Sequence, residues 1–388
     1  MNNKISIVTG CTGQSASYLI ELLLSKGYTV YGTFRRTTSP NFKNLSRVID
    51  NPNLHLVQMD LTDSGSVFSC LSTIKPDEIY NLAAQSCVKA SFELPIHTFD
   101  VDTTGVLNML EWVRQNSPKT KFYQASTSEM FGRSKSFNFN FPIDEGPFIE
   151  SLTMTANDKI WRNLPDDYVS PPAYIQHENT PFIPQSPYAV AKLAAHHLCR
   201  LYREAYGLFI VSNITFNHES PRRGKEFVTR KITDYIGRLV ADCKETVFYS
   251  SQLSVFENPP IDVNKEKASK FPKLALGNIY SSRDWGHAKD YMEAAYKAMQ
   301  HQTPDDYVVC TGKTHTVEDF LSAAFGHVGL DWKDYVVIDE AHKRPAEVDY
   351  LCGSADKIKR VLGWEPSTTF EELVKEMVEN DIKENSKC

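Results

Sequence analysis

In the run Pro187-Tyr-Ala-Val-Ala-Lys192 a phenol and an amine stand four residues apart, at the head of a stretch, Tyr188 to Tyr206, whose composition favours helix. That spacing stacks Tyr188 and Lys192 on one helical face. A fixed ammonium favours the phenolate, which makes the pair a candidate base for taking a proton from a sugar or alcohol hydroxyl. An i,i+4 pair on a solvated face reads the same way, so its weight rests on its neighbours. The second reactive stretch is Ser126-Thr-Ser-Glu-Met-Phe-Gly132. Thr127 can hydrogen-bond the oxygen that Tyr188 deprotonates. Glu129 adds a carboxylate that simple alcohol oxidation does not need. A second base makes sense where a carbon beside a newly formed ketone must lose its proton. A Ser/Thr-rich turn with a capping glutamate is the plain alternative.

A dinucleotide site is predicted upstream. The β-branched run Ile5 to Thr9 ends at Gly10, and Gln14 to Lys26 reads as a helix closed by Gly27. Between them Gly10, Gly13 and Ala16 form Gly-x-x-Gly-x-x-Ala, with Thr12 and Gln14 inside it. Glycines there allow a tight turn and let backbone N–H groups approach a pyrophosphate at a helix N-terminus. The next strand, Tyr28 to Phe34, runs into Arg35-Arg36-Thr-Thr-Ser39 with no acid in reach. Arginines and hydroxyls there suit a 2′-phosphate, so the expected cofactor is NADP. Asp60, closing the strand Leu54 to Met59, suits an adenine edge. Leu82, Ala83, Ala84, Gln85 and Ser86, at the end of the strand Glu78 to Ala84, would let a nicotinamide ribose lie close. His218, Arg222 and Arg223, in Asn217-His-Glu-Ser-Pro-Arg-Arg-Gly224, are three cations or potential cations suited to a diphosphate.

Elements of a definite kind must hold these residues. Helical segments, Ser64 to Ile74 and about Pro95 to Asn116, separate the strands up to Lys121–Thr127, and Leu208 to Phe216 reads as a central strand. Strands alternating with helices imply a doubly wound parallel sheet, an α/β fold of Rossmann type, with ligands beyond the carboxyl ends of the strands. The expected division is a nucleotide-binding domain over 1–216 and a smaller C-terminal lobe over 217–388 that holds the substrate, with some segments returning to the first. Two irregular insertions, about 133–184 and 245–273, interrupt the pattern. A helix is expected from Thr316-Val-Glu-Asp319, and a last one from about Thr369 to Lys383, started by Thr368-x-x-Glu371.

Composition excludes several classes. With a net charge of −6, 41% hydrophobic and 23% charged residues, the 388-residue chain reads as a globular protein and not a nucleic-acid binder. No apolar run approaches the roughly 18 residues a membrane span needs. Met1 runs almost at once into a strand, so a cytosolic location is expected. The eight cysteines are scattered without metal-ligand spacing, so no metal is expected.

Gly10-Cys-Thr-Gly13-Gln, Tyr123-Gln-Ala-Ser-Thr-Ser-Glu129, Ser186-Pro-Tyr-Ala-Val-Ala-Lys192, Phe216-Asn-His-Glu-Ser-Pro-Arg-Arg-Gly224 and Arg283-Asp-Trp-Gly-His-Ala-Lys-Asp290 together resemble the GDP-mannose 4,6-dehydratase family of extended short-chain dehydrogenases/reductases. The resemblance runs from about residue 3 to 383. It implies that Tyr188, with Lys192 lowering its pKa and Thr127 holding the oxygen, removes the C4 hydroxyl proton while NADP takes a hydride. Glu129 then removes the C5 proton, water leaves from C6, and the hydride returns to C6. It further implies Arg35, Arg36, Asp60, Leu61, Ala84, Gln85, Ser86, Lys192, His218 and Arg223 as NADP contacts. For the GDP-sugar it implies Asn217, Lys231, Arg283, Arg344 and Glu347, with Ser86 and Ser128 beside the sugar, and it implies a homotetramer, with a homodimer as runner-up. The chain departs from the family at Ser15-Ala16, at His97 and in the length of both insertions. A GDP-heptose dehydratase, a nucleotide-sugar 4-epimerase or reductase, and a non-catalytic NADP-binding protein are the alternatives.

Overall fold

A strand can pair with a parallel neighbour only after a crossover, and this chain supplies a helix for most of them. The computed structural model describes residues 4–134, 175–243, 263–339, 346 and 348–386. Seven strands form one sheet: β1 (Ile5–Thr9), β2 (Thr29–Phe34), β3 (Leu54–Gln58), β4 (Glu78–Asn81), β5 (Lys121–Thr127), β6 (Ile210–Thr215) and β7 (Asp306–Val309). Their order is β7-β6-β5-β4-β1-β2-β3, and every pairing is parallel. Val8 of β1 registers with Gly32 on one side and Tyr80 on the other. The strand order therefore reverses between β1 and β4, where a crevice opens at the carboxyl ends.

Helices cover both faces. Gln14–Ser25 and Ala288–Gln300 pack on one through Leu19, Ile20, Leu23, Ala295 and Met299, all buried. Ser64–Ile74, Gly105–Asn116 and Pro187–Tyr206 pack on the other through Leu71, Leu110, Trp112 and Cys199. A further core lies among the helices Val228–Cys243, Val317–Gly326 and Phe370–Asn385. Two short strand pairs, Asn217–Glu219 with Trp285–His287 and Ser282–Arg283 with His315–Thr316, bring the second half of the chain to the mouth of the crevice.

Most expected elements form, with three corrections. The long helix expected over Pro95 to Asn116 contains a single π-turn, Asp100–Thr104, between Pro95–Phe99 and Gly105–Asn116, and a short helix, Val88–Glu93, precedes it. The last helix starts one residue later than expected. The Asp290 carboxylate captures the N–H groups of Ser367 and Thr368, so Thr369 and Glu372 make the reciprocal cap instead of Thr368 and Glu371. Within the segment read as irregular, Lys265–Ser269 is helical, capped by the Asn264 side chain. Six cysteines (11, 70, 199, 243, 310 and 352) are buried and free, and Cys388 lies outside the described residues. Among the described residues no His/Cys/Asp/Glu group could hold a metal, and no helix is long and apolar enough to cross a membrane.

The Val228–Cys243 and Phe370–Asn385 helices cross so closely that a Cβ on Gly237 would meet the Asp381 carbonyl at 2.5 Å. Beside that crossing Arg230 pairs with Asp381 at 2.6 Å, their side chains 5% and 1% exposed. Thr233 donates to the same carboxylate. Asp381→Ala would leave the buried Arg230 with Glu384 at 3.3 Å as its remaining carboxylate, and is expected to cost about 3 kcal/mol. Urea titration followed by circular dichroism measures the loss.

Candidate active site

The crevice is shaped first by what is missing from it. Gly10 has φ +66°, and a Cβ on it would meet the Ala83 Cα at 2.9 Å, so only glycine allows the turn after β1 to pass the strand end of β4. Thr9 Oγ1 fixes that approach by accepting the N–H groups of Leu82 and Ala83 at 3.0 and 2.9 Å while donating to Asn81 Oδ1. The Gly13 N–H closes the turn on the Gly10 carbonyl, and Asn44 Nδ2 holds the Thr12 carbonyl at 2.9 Å. Gln14 reaches across to the His218 carbonyl and the Ser220 hydroxyl.

One cavity of about 900 Å³ runs over these turns. Its wall takes in Gly10, Thr12, Gly13, Gln14, Arg35, Asp60 and Leu61, then Leu82 through Ser86. Thr127, Ser128, Glu129, Tyr188 and Lys192 also line it, as do Asn217, His218, Arg223, Lys231 and Arg283. Residues separated by most of the chain thus face one space. Arg36 is exposed and stands off the wall. Arg344 and Glu347 lie outside the described residues, as do residues 135–174 and 244–262, which make up most of the two insertions.

Tyr188 and Lys192 share a helical face as their spacing predicts, but the electrostatics differ from the expectation. Lys192 is 3% exposed, and its Nζ donates to the Ala125 carbonyl at 3.0 Å and stands 6.0 Å from the Tyr188 ring centroid. Burial pushes the Tyr188 phenol well above its ordinary value, and the Asp102 carboxylate pushes it further. The Thr127 hydrogen bond lowers it, the Glu129 charge raises it and Arg223 lowers it. Desolvation therefore outweighs the expected lowering by Lys192. Burial likewise lowers the Lys192 ammonium, with Asp102 opposing. Thr127 caps the 3₁₀ turn Ser128–Met130 by accepting the Glu129 N–H, which sets the direction in which Glu129 leaves the sheet.

The cluster at Asn217–Gly224 is also not the open set of cations expected. His218 Nδ1 lies 3.0 Å from the Phe216 carbonyl, so it carries the proton, and Nε2 accepts from Ser15. Burial and Arg223 push its pKa down to about 4, which leaves it neutral near pH 7. Arg222 turns onto Glu21 at 2.6 Å and Arg223 onto Glu219 at 3.0 Å. The segment braces the glycine turn more than it offers charge. Asn44 and Asp102 were not singled out from sequence: no motif marks Asn44, and Asp102 sits in a stretch that reads as plain helix.

The model of the family described as GDP-mannose 4,6 dehydratase matches residues 7–148, 168–255 and 256–377. GDP-mannose 4,6 dehydratase 2 of Arabidopsis thaliana is 45% identical over 390 residues, covering 98% of this chain and 87% of that protein. GDP-mannose 4,6 dehydratase of Homo sapiens is 38% identical over 407 residues, covering 98% and 92%. Among solved structures, dTDP-glucose 4,6-dehydratase from Bacillus anthracis in complex with NAD superposes with a TM-score of 0.70 at 21% identity, covering 98% of this chain and 97% of that one, a likeness of fold.

Gly10→Ala would force an L side chain into the left-handed region and against Ala83, a strain of about 1–2 kcal/mol from the backbone alone. A dinucleotide added to the variant is expected to bind at least about tenfold more weakly by calorimetry, while the protein's far-ultraviolet circular dichroism stays unchanged.

Proposed function

The chain belongs to the GDP-mannose 4,6-dehydratase family, and on that premise we propose that it dehydrates GDP-mannose to GDP-4-keto-6-deoxymannose with NADP as its resident cofactor. The observation that carries the reading is the meeting of Thr127, Glu129, Tyr188 and Lys192 on one cavity wall beside the glycine turn. An alcohol oxidoreductase would need Thr127, Tyr188 and Lys192, whereas an elimination needs Glu129 as well.

The site fits a dinucleotide. The Gly10 cradle is one a Cβ would fill, Arg35 and Asn44 line the same cavity, and the residues that follow β2, Arg35 to Ser39, include no acid to repel a 2′-phosphate. Bound there, NADP would supply the reversible electron-pair store by which C4 is oxidised and C6 reduced with no external reductant. Tyr188 takes the proton of the C4 hydroxyl, and Thr127 holds that oxygen. Lys192, fixed on the Ala125 carbonyl, keeps positive charge beside the phenol. The C4 ketone acidifies C5, Glu129 removes the C5 proton, and the same carboxyl can hand it to the departing C6 hydroxyl. As C6 is reduced C5 takes up a proton again, balanced by the one Tyr188 took from the C4 hydroxyl. Asn217, Lys231 and Arg283, with Ser86 and Ser128 near the sugar, are proposed to hold the GDP-sugar. A cytosolic homotetramer is the proposed form, with a homodimer as the alternative. Leu94, Ile96 and Phe99, at 51%, 77% and 44% exposure beside Val190 at 48%, give it an apolar contact surface.

Incubation with GDP-mannose should yield the 4-keto-6-deoxy product by mass spectrometry. Glu129→Gln should lower turnover by about 100-fold or more, while bound NADP is still reduced in a half-reaction seen by nicotinamide absorbance. A variant with full turnover would remove Glu129 from the chemistry. Arg35→Ala should weaken NADP binding by about tenfold and leave NAD binding unchanged, as fluorescence titration would read.

A further inference from the structure

We propose that the Asp102 carboxylate is a positioning residue, holding the Gln85 loop at the nicotinamide end of the cavity and balancing the Lys192 ammonium beside Tyr188. The inference deepens the dehydratase reading and rests on it for its substrate. Asp102 sits in the middle of the π-turn Asp100–Thr104, and single π-turns of this kind recur at functional sites. The next residue, Thr103, donates to the Ala191 carbonyl at 2.8 Å, which ties the turn to the helix one residue before Lys192.

The carboxylate is 1% exposed. Oδ1 accepts the Gln85 N–H at 2.7 Å, and Gln85 in turn orders its loop, since its side chain accepts from the Cys87 N–H and donates to Thr98 Oγ1. Among the described residues Oδ2 has no hydrogen-bond partner. A buried carboxylate with one oxygen unmatched is costly unless a cation answers it. Lys192 is, among the described residues, the charged group that acts on it, and Asp102 is the first charge to act on Tyr188 after burial itself. From the Pro187–Tyr206 helix Lys192 and Tyr188 face it, and from the loop after β4 the Gln85 amide does. Glu129 and Arg223 act on Tyr188 but not on Asp102. Burial lifts Asp102 to about 6, so it is ionised at neutral pH and opposes ionisation of Tyr188 there. The Asp102 charge opposes loss of the Lys192 proton in a dry site and helps hold the phenol protonated until substrate arrives.

Two variants separate the loop-holding part from the charge. Asp102→Asn keeps an oxygen for the Gln85 N–H, so its NADP dissociation constant by tryptophan quenching should stay within about twofold of wild type. Without the negative charge, the rise of kcat/KM for GDP-mannose with pH should begin about one unit lower than in the wild type. Asp102→Ala loses both: NADP should bind about tenfold more weakly, and the Gln85 amide should exchange faster by mass spectrometry. A pH profile for Asp102→Asn that superimposes on wild type, or unchanged NADP binding and exchange in Asp102→Ala, overturns the assignment. If Asp102→Ala does not fold, the pH profile of Asp102→Asn decides. Should the wild type convert no GDP-mannose, the parent reading fails, while NADP binding and Gln85 exchange still judge Asp102.

Discussion

Two backbones leaving neighbouring strands must pass each other where the strand order reverses, and the contact between Gly10 and Ala83 is the constraint on which the site depends. Helix N-terminus, cofactor loop and catalytic wall all take their positions from it. The Thr9 hydroxyl locks the two loops together, and Asn81 locks the hydroxyl. The approach is repeated on the other side of β1, where a Cβ on Gly32 would meet that of Cys11 at 2.9 Å. The crevice stays open at this point because Gly10 and Gly32 carry no side chain.

The second constraint is dryness. Tyr188, Lys192 and Asp102 are all at most 8% exposed, so each ionisation is set against a desolvation cost of several kcal/mol. A unit charge about 5 Å away recovers roughly 3 kcal/mol at an effective dielectric near 20. Desolvation wins for each group alone, and the groups become usable only together. That is the physical reason for a tyrosine whose proton is held tightly.

Much of the frame was legible in the sequence, since period and punctuation are local properties. The β-branched runs, Gly10, Gly27 and the Thr316–Asp319 box each declare themselves within a few residues. The Tyr188–Lys192 spacing likewise placed both on one face. What stayed hidden depends on residues distant in sequence. Arg222 and Arg223 read as free cations until Glu21 and Glu219 are seen beside them. The neutral state of His218 follows from burial by Tyr291 and its neighbours, which no local pattern encodes. The π-turn at Asp102 and the shift of the last helical cap to Thr369 follow from tertiary partners, Ala191 and Asp290.

The chain on either side of residues 135–174 is fastened to the body of the fold. Gly132, at φ +53°, presses on the Ile183 carbonyl, and the Phe131 carbonyl accepts the Ile183 N–H. Gln176 bonds both ways with Cys352, and the Glu178 carboxylate takes the Val308 N–H of the outermost strand at 2.8 Å. Departure and return are therefore welded to the same patch of scaffold, a few residues ahead of Tyr188. Each doubling of the stretch between such fixed ends adds only about 0.6 kcal/mol of closure entropy. Descendants of this gene can lengthen, shorten or rewrite that stretch at little cost to the phenol that follows it in the chain.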